Sequence, residues 1–133
     1  MWLFKEEPSH YSYADLERDG ETEWSGVKNN VALKHLRAVR EGDRILYYHT
    51  GNEKAVVGEM RASSDAIVDP GDSKNVAVKV KPVKRWPNPV TLATIKAERK
   101  LADWELVRIS RLSIMPVSGE QWQRLEEMSR EGS

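Results

Sequence analysis

Two runs of strand-forming residues separated by a tight turn constrain the fold of this chain more than any other feature. The run RILYYHT begins at Arg44, and AVVGEMRAS begins at Ala55 after the turn GNEK. Two such runs joined by a loop of about four residues predict a β-hairpin. Strands that follow one another as hairpins favour an antiparallel or mixed sheet over the parallel sheet of a strictly alternating strand–helix chain. We expect this sheet to curve into a small barrel with helices at its edges, an α+β fold.

Four more segments are predicted to be extended. They are MWLFK before the break at Pro8, the short piece TEW, NVAVKVKPVKRW up to the prolines of PNPV, and VRISRLSIMPV. NVAVKVKPVKRW alternates apolar and basic residues, which is typical of a half-buried strand with a positive outer face. The inward positions would be Val76, Val78 and Val80, and the outward ones Lys79 and Lys81.

Four helices are predicted around these strands. Ser12 and Asp15 form a capping box at the start of SYADLERDG, which Gly20 ends, and Ser118 and Gln121 form a second one for a terminal helix over 118–132. The other two helices are VKNNVALKHLRAVREGD, closed by its glycine, and VTLATIKAERKLAD. With 133 residues and no long linker, the chain is expected to form a single domain over 1–133.

The composition and motifs remove several classes of function. Twenty-one basic residues balance twenty-one acidic ones, so the overall charge does not attract polyanions. The chain has no cysteine, and its histidines, His10, His35 and His49, are too scattered for a metal site. We therefore predict no metal and no cofactor. Nucleophile-elbow, phosphate-loop and dinucleotide-binding motifs are absent from the sequence, so no catalytic residue is predicted. Without a membrane-length apolar run or a signal-peptide pattern, we expect a cytoplasmic monomer that does not bind membranes.

The segment EWSGVKNN is the most informative local motif. Trp24 ends an extended piece immediately before a Ser–Gly bend and the predicted start of a helix. The first N–H groups of a helix have no partner within it, so they are free to bind a ligand. Such a site could stack a flat ring on Trp24 and offer N–H donors and the Asn29 amide to the edge of that ring or to a phosphate. The alternative is a tryptophan packed under the barrel, with Ser25 acting only as a helix cap.

Three other segments could contribute to binding. Alternation along LYYHT pairs Tyr47 with His49 and Tyr48 with Thr50, and we expect one pair to face outward or into a cavity. These side chains could contact a base, or they could form only a cross-strand pair. The segment VKVKPVKR offers either a phosphate-binding surface or a solvated lysine face. ISRLS adds a cation at Arg111.

Four segments taken together resemble the EVE domain family in identity and order. They are MWLFKEEPSHYSYADL, EWSGVKNNVALKHLRAVREGDRILYYHTG, VVGEM and RLSIMPVSGEQW, and the resemblance extends over nearly the whole chain. The resemblance implies a PUA-like fold, a curved mixed β-barrel with surrounding helices. It also implies a non-catalytic reader of a modified base in DNA or RNA, such as a modified cytosine or a methylated adenine. Members of this family are similar to YTH domains, which hold a base in an aromatic pocket.

The resemblance assigns roles to individual residues. Trp24 would be the pocket wall, Ser25 and Asn29 would lie near the base edge, and Lys5 and Glu6 would approach the ligand. Tyr48 and His49 would line the pocket mouth.

Other predicted positions do not come from the resemblance. Val27 and Arg111 complete the predicted ligand-binding residues. The basic residues predicted to contact phosphate are Lys28, Lys79, Lys81, Lys84 and Arg85.

The YTH relatives carry a second tryptophan in the loop after the hairpin, and this chain has no aromatic residue in the corresponding SSDAIVDPGD. The second face of the pocket would then come from Tyr48, Pro70 or Trp86. Two functions of other classes are also compatible with the sequence. One is an enzyme acting on a modified nucleotide or small metabolite through Lys5 or His49, and the other is a protein-interaction domain that uses exposed tryptophan rings as anchors.

Overall fold

A computed structural model of the chain describes residues 1–131, so Gly132 of the predicted terminal helix and the last position of the predicted domain lie outside the described residues. The strands are β1 (Trp2–Glu6), β2 (Thr22–Trp24), β3 (Arg44–His49), β4 (Ala55–Ala62), β5 (Ile67–Asp69), β6 (Asp72–Thr91) and β7 (Ile114–Pro116). The helices are α1 (Tyr13–Asp19), α2 (Asn30–Arg37), α3 (Leu92–Ala97), α4 (Glu105–Arg108) and α5 (Gly119–Glu131), with a 3-10 turn at Arg99–Leu101. Over residues 1–131 the helices are all too short or too polar to traverse a bilayer.

The strands form one strongly curled sheet, shaped like half of a barrel. Its strand order is β2-β6-β4-β3-β1-β7, and β5 pairs with β6. β1 and β3 run parallel, while β3 and β4, β4 and β6, β2 and β6, and β1 and β7 are antiparallel. The predicted mixed, curved sheet of an α+β fold is therefore confirmed, including the hairpin of β3 and β4.

Tyr47 and Tyr48 are both buried, so the prediction that one of them faces outward or into a cavity is wrong. Their exposed fractions are 0% and 3%. β3 lies in the middle of the sheet, between β1 and β4, and both of its faces are covered. Tyr47 packs against aromatic rings on one face, whereas the ring of Tyr48 on the other face lies 5.6 Å from the Lys5 ammonium.

β6 continues through the prolines that were predicted to end it. Its pairing with β4 jumps from Val56 opposite Val90 to Gly58 opposite Arg85. The intervening stretch, residues 86–89, contains two prolines and is looped out of the regular ladder, where no backbone N–H is needed for pairing. A second shift in register falls beside Pro82. These bulges also increase the curvature of the sheet.

One helix prediction and one strand prediction also need correction. α2 begins at Asn30 rather than at Val27, because the side chain of Asn29 accepts hydrogen bonds from the backbone N–H groups of Val31 and Ala32 and caps the helix there. Ser25 is therefore not the cap. The segment over 107–117, predicted to be extended, begins with Val107 and Arg108 in the helix α4, and only Ile114–Pro116 forms a strand. The preceding Leu106 is buried and holds α4 against the core, so tertiary packing outweighs the strand propensity of these two residues. The capping boxes at Ser12 and Ser118 are confirmed.

The glycine in β4 gives the ring of Tyr13 its place in the core. The Tyr13 hydroxyl donates a 2.7 Å hydrogen bond to the Glu59 carbonyl, and its ring lies against the backbone of Gly58. A Cβ atom on Gly58 would lie 2.8 and 2.9 Å from two atoms of that ring and 3.0 Å from the Lys84 carbonyl oxygen. A backbone oxygen on one side and a buried ring on the other leave little room to relax.

We predict that Gly58→Ala destabilises the protein by about 1–3 kcal/mol, the usual cost of overpacking a close contact. Chemical denaturation measures the free energy of unfolding. Gly119→Ala is the matched control, because a Cβ atom at Gly119 would meet no atom within 4 Å beyond its chain neighbours and the nearby backbone of its own helix. Equal stability of the two variants would show that Tyr13 is not held against β4 as described.

Candidate functional site

A cleft of about 190 Å³ opens beside Trp24, where the ends of β1 and β2 meet the turn that precedes α1. Pro8 follows the end of β1, and the chain turns back as the N–H groups of His10 and Tyr11 donate to the Glu7 carbonyl. The residues lining the cleft are Glu6, His10, Tyr11, Thr22, Glu23, Trp24 and Ser25. The cleft therefore combines an aromatic wall with a polar rim.

Trp24 is 7% exposed, and its ring is wedged into the core. The ring centroids of Phe4 and Tyr47 both lie 5.3 Å from that of Trp24, at interplanar angles of 51° and 82°. Tilted and edge-to-face contacts of this kind stabilise aromatic pairs. Both alternatives from the sequence thus hold in part, since most of the ring belongs to the core and the remainder lines the cleft.

His49 does not line the cleft, but its hydrogen bonds hold the turn before α1, which does. The Nε2 atom of His49 accepts a 3.0 Å hydrogen bond from the backbone N–H of Tyr13, so the proton of the neutral ring must be on Nδ1. That nitrogen lies 2.7 Å from a carboxylate oxygen of Glu53. Tyr47, whose ring contacts His49 edge-on, donates to the Tyr11 carbonyl. These bonds tie the turn before α1 to the middle of the sheet.

Glu6 carries a carboxylate at the cleft with one oxygen bonded and one open. Its Oε1 atom accepts from the backbone N–H of Glu7 at 2.9 Å and lies 3.2 Å from His10 Nδ1. Within residues 1–131, its Oε2 atom makes no hydrogen bond to protein. The second carboxylate of the cleft, Glu23, is exposed and has no hydrogen-bond or ion-pair partner in the same range. The Tyr11 hydroxyl donates to Asp19 at 2.8 Å and closes the rim.

Strand alternation divides the predicted ligand-binding residues between two faces of the sheet. Glu6 and His49 are register partners on the face of Trp24, whereas Lys5 and Tyr48 are partners on the opposite face. The Lys5 ammonium donates to the Ser110 carbonyl at 3.0 Å, and burial lowers its pKa. Of the nine predicted positions, Glu6, Trp24 and Ser25 line the cleft. The other six, all among the described residues, do not line it: Lys5, Val27, Asn29, Tyr48, His49 and Arg111.

The candidates for a second aromatic face also lie elsewhere. Trp86 is buried in β6, Pro70 is at the turn between β5 and β6, and Tyr48 is on the far side of the sheet. Instead, His10 and Tyr11 line the cleft opposite the end of β2. Sequence reasoning missed these two, as well as Thr22 and Glu23. The break at Pro8 was the available signal for the first two, because it keeps the residues that follow at the edge where β1 ends.

Most of the predicted phosphate-contacting cations already face carboxylates. Lys81 lies 4.0 Å from Glu21, and Lys84 lies 3.9 Å from Glu126. Arg85 forms an ion pair with Glu17. Lys79 is the register partner of Glu23 but forms no ion pair within residues 1–131, and neither do the exposed Lys28 and Arg111. The outer face of β6 is therefore less positive than its sequence suggests.

The pKa values of the tyrosines report how tightly the aromatic cluster is packed. Burial raises the pKa of Tyr13 and of Tyr48 from 10 to about 12, and it raises those of Tyr11 and Tyr47 as well. Between pH 10 and 12 the folded chain thus keeps phenol protons that the unfolded chain loses. Because the folded state binds more protons in this window, stability falls as the pH rises.

We predict that tyrosinate absorbance stays low as the pH passes 10 and that the free energy of unfolding decreases between pH 10 and 12. A spectrophotometric titration run in parallel with chemical denaturation at each pH measures both. Ionisation of all four tyrosines near pH 10 in a chain that stays folded would contradict this packing.

Comparisons with known proteins agree with the fold and with the resemblance seen in the sequence. The profile of the EVE domain family matches residues 1–128, which confirms that resemblance. The structure of Rpa0253 from Rhodopseudomonas palustris is 40% identical with a TM-score of 0.91, and the match covers 99% of this chain and 94% of that one. Human THYN1, solved in complex with DNA containing 5-methylcytosine, is 24% identical with a TM-score of 0.89 and shares the PUA-like fold over 96% of each chain.

A curated relative is longer than this chain. The uncharacterized protein C21.03c of Schizosaccharomyces pombe is 30% identical over 138 residues. The match covers 88% of this chain and spans 58% of the length of that relative.

Proposed function

We propose that this chain, which belongs to the EVE domain family, binds nucleic acid by holding one unpaired, modified base in the cleft beside Trp24. The observation that carries the proposal is the cleft itself, in which a rigid indole lies next to hydrogen-bonding side chains. A cavity of roughly 150 Å³ is known to hold a single six-membered ring, so about 190 Å³ is sufficient for a base that enters from solvent.

The energetics favour a base that is already unpaired or easily flipped out. Extracting a base from a duplex costs a few kcal/mol, and stacking on an aromatic side chain returns about 1–3 kcal/mol. Trp24 is held by Phe4 and Tyr47, so little side-chain entropy is lost when a base stacks on it. Selectivity must then come from the polar rim.

The human THYN1 complex supports a modified cytosine as the candidate ligand. THYN1 was crystallised with DNA containing 5-methylcytosine and shares its fold with this chain, although the two are only 24% identical. A methyl group contributes about 1–3 kcal/mol to discrimination even in a well-fitted pocket. We therefore propose modest selectivity for the modified base over the unmodified one.

The structure gives less support to the two alternative functions. An enzyme using Lys5 and His49 would need them to converge on one substrate, but they lie on opposite faces of the sheet and His49 is 6% exposed. A protein anchor would need exposed tryptophan rings. Four of the five are at most 7% exposed, namely Trp24, Trp86, Trp104 and Trp122. We propose a binding role without catalysis.

We predict that Ser25→Trp blocks the cleft and lowers affinity for a single-stranded oligonucleotide carrying 5-methylcytosine at least tenfold, while the fold stays intact. Ser25 is exposed and lines the cleft, so a large side chain there fills the space for the base without disturbing the core. Fluorescence anisotropy measures the affinity. Trp24→Ala is a poorer test, because truncating a buried tryptophan costs about 3–5 kcal/mol of stability.

Ser73→Trp is the matched control, since Ser73 is exposed on β6 and does not line the cleft. It should bind as the unmodified protein does. If Ser25→Trp also binds with unchanged affinity, the base does not enter this cleft.

The phosphates should run along the side of the cleft where a cation lacks a carboxylate partner. Lys28 is exposed, forms no ion pair within residues 1–131 and lies three residues after the cleft residue Ser25. We predict that Lys28→Gln lowers the salt dependence of binding, by a slope of about 0.7 for a phosphate of a single strand that the protein no longer neutralises. Lys81→Gln is the control, because Lys81 lies 4.0 Å from Glu21, and it should leave the slope almost unchanged. A larger effect from Lys81→Gln would place the phosphates on β6 instead.

A further inference from the structure

The polar edge of the cleft accepts hydrogen bonds more readily than it donates them. Two carboxylates line the cleft, those of Glu6 and Glu23. An ionised carboxylate has only acceptor sites. The same rim repels phosphate, so the part of a nucleotide that enters is the base and not its backbone.

Glu6 is the better placed of the two carboxylates. Its side chain is 27% exposed, so it is partly withdrawn from water. The backbone N–H of Glu7 holds one of its oxygens in a fixed position, and His10 lies beside that same oxygen. The free Oε2 atom is consequently a positioned acceptor on a side chain that lines the same cleft as Trp24, whereas the carboxylate of Glu23 is exposed and unrestrained.

We propose that Glu6 makes the cleft select bases that carry an exocyclic amine and reject bases that carry a carbonyl in the same place. This inference rests on the proposed function, because it concerns the base held in that cleft. A carboxylate accepts a hydrogen bond from the N4 amine of cytosine. It faces the O4 atom of thymine or uracil with like partial charge and no proton between them, which is a repulsive contact.

5-Methylcytosine and thymine provide the sharpest comparison. They share the ring and the 5-methyl group and differ in the edge that carries the amine or the carbonyl. A protein that recognised only the methyl group and the flat ring would bind both equally. Cytosine and uracil differ in the same way without the methyl group, so the carboxylate should produce the same ratio of affinities in both pairs.

Competition binding tests this with four single-stranded oligonucleotides that differ only in a central 5-methylcytosine, thymine, cytosine or uracil. We expect the amino base to bind roughly ten- to hundredfold more tightly within each pair. Glu6→Gln should reduce that ratio to about one or invert it. The glutamine can keep an oxygen on the Glu7 N–H while placing an N–H donor where Oε2 was, so the fold and the stacking on Trp24 should be retained.

Glu7→Gln is the matched control, because it removes the same charge one residue away. Glu7 bonds to Ser9 and does not line the cleft. It should keep the ratio of the unmodified protein, and its doing so would support the inference.

The outcomes separate this inference from the proposed function. Binding that depends on the cleft but is equal for 5-methylcytosine and thymine overturns the inference and leaves the proposed function standing. A preference for the amino bases that survives in Glu6→Gln overturns the role of Glu6. Failure to bind any of the four oligonucleotides overturns both. The ratios for the unmodified protein test the selectivity even if the variant folds poorly.

Discussion

The packing of Trp24 between Phe4 and Tyr47 is the contact on which the rest of the cleft depends. It joins β2, at the edge of the sheet, to β1 and β3 on the inner face of the curl. The Tyr47 hydroxyl donates a hydrogen bond to the Tyr11 carbonyl, in the turn before α1, and the ring of Tyr13 packs edge-on against the ring of Tyr47. One aromatic cluster thus connects the edge strand β2, the strands β1 and β3 and the turn before α1. The wall of the cleft that Trp24 forms is rigid, because the Trp24 ring is packed in the hydrophobic core.

Much of the fold could be predicted from local sequence, where the determining interactions lie within a few residues. The capping boxes at Ser12 and Ser118 and the hairpin turn after His49 are of this kind. The wrong predictions concern segments whose structure is determined by contacts with residues distant in the sequence. The prolines of β6 are tolerated because β4 pairs with bulges around them, and Tyr47 and Tyr48 are both buried because β3 lies at the centre of the sheet. Neither the pairing of β6 with β4 nor the central position of β3 can be read from the local sequence of the strand concerned.

The candidate site was predictable in part for the same reason. Trp24, Ser25 and Glu6 were identified from their motifs, and they line the cleft. Lys5 lies on the opposite face, since one position along a strand reverses the side on which a residue lies. His10 and Tyr11 belong to a turn whose direction depends on the Glu7 carbonyl. The ion pairs that occupy the cations of β6 come from elements distant in sequence, including Glu17 of α1 and Glu126 of α5.

A two-dimensional NMR titration tests most directly whether an unpaired base stacks on Trp24 inside the cleft. The protein would be labelled with nitrogen-15 and mixed with a single-stranded oligonucleotide containing one 5-methylcytosine. We predict the largest shifts at the indole N–H of Trp24 and the backbone amides of Glu6 and Ser25, with the indoles of Trp104 and Trp122 unchanged. Shifts confined to the outer face of β6, around Lys79 and Lys81, with the Trp24 indole unmoved, would contradict it.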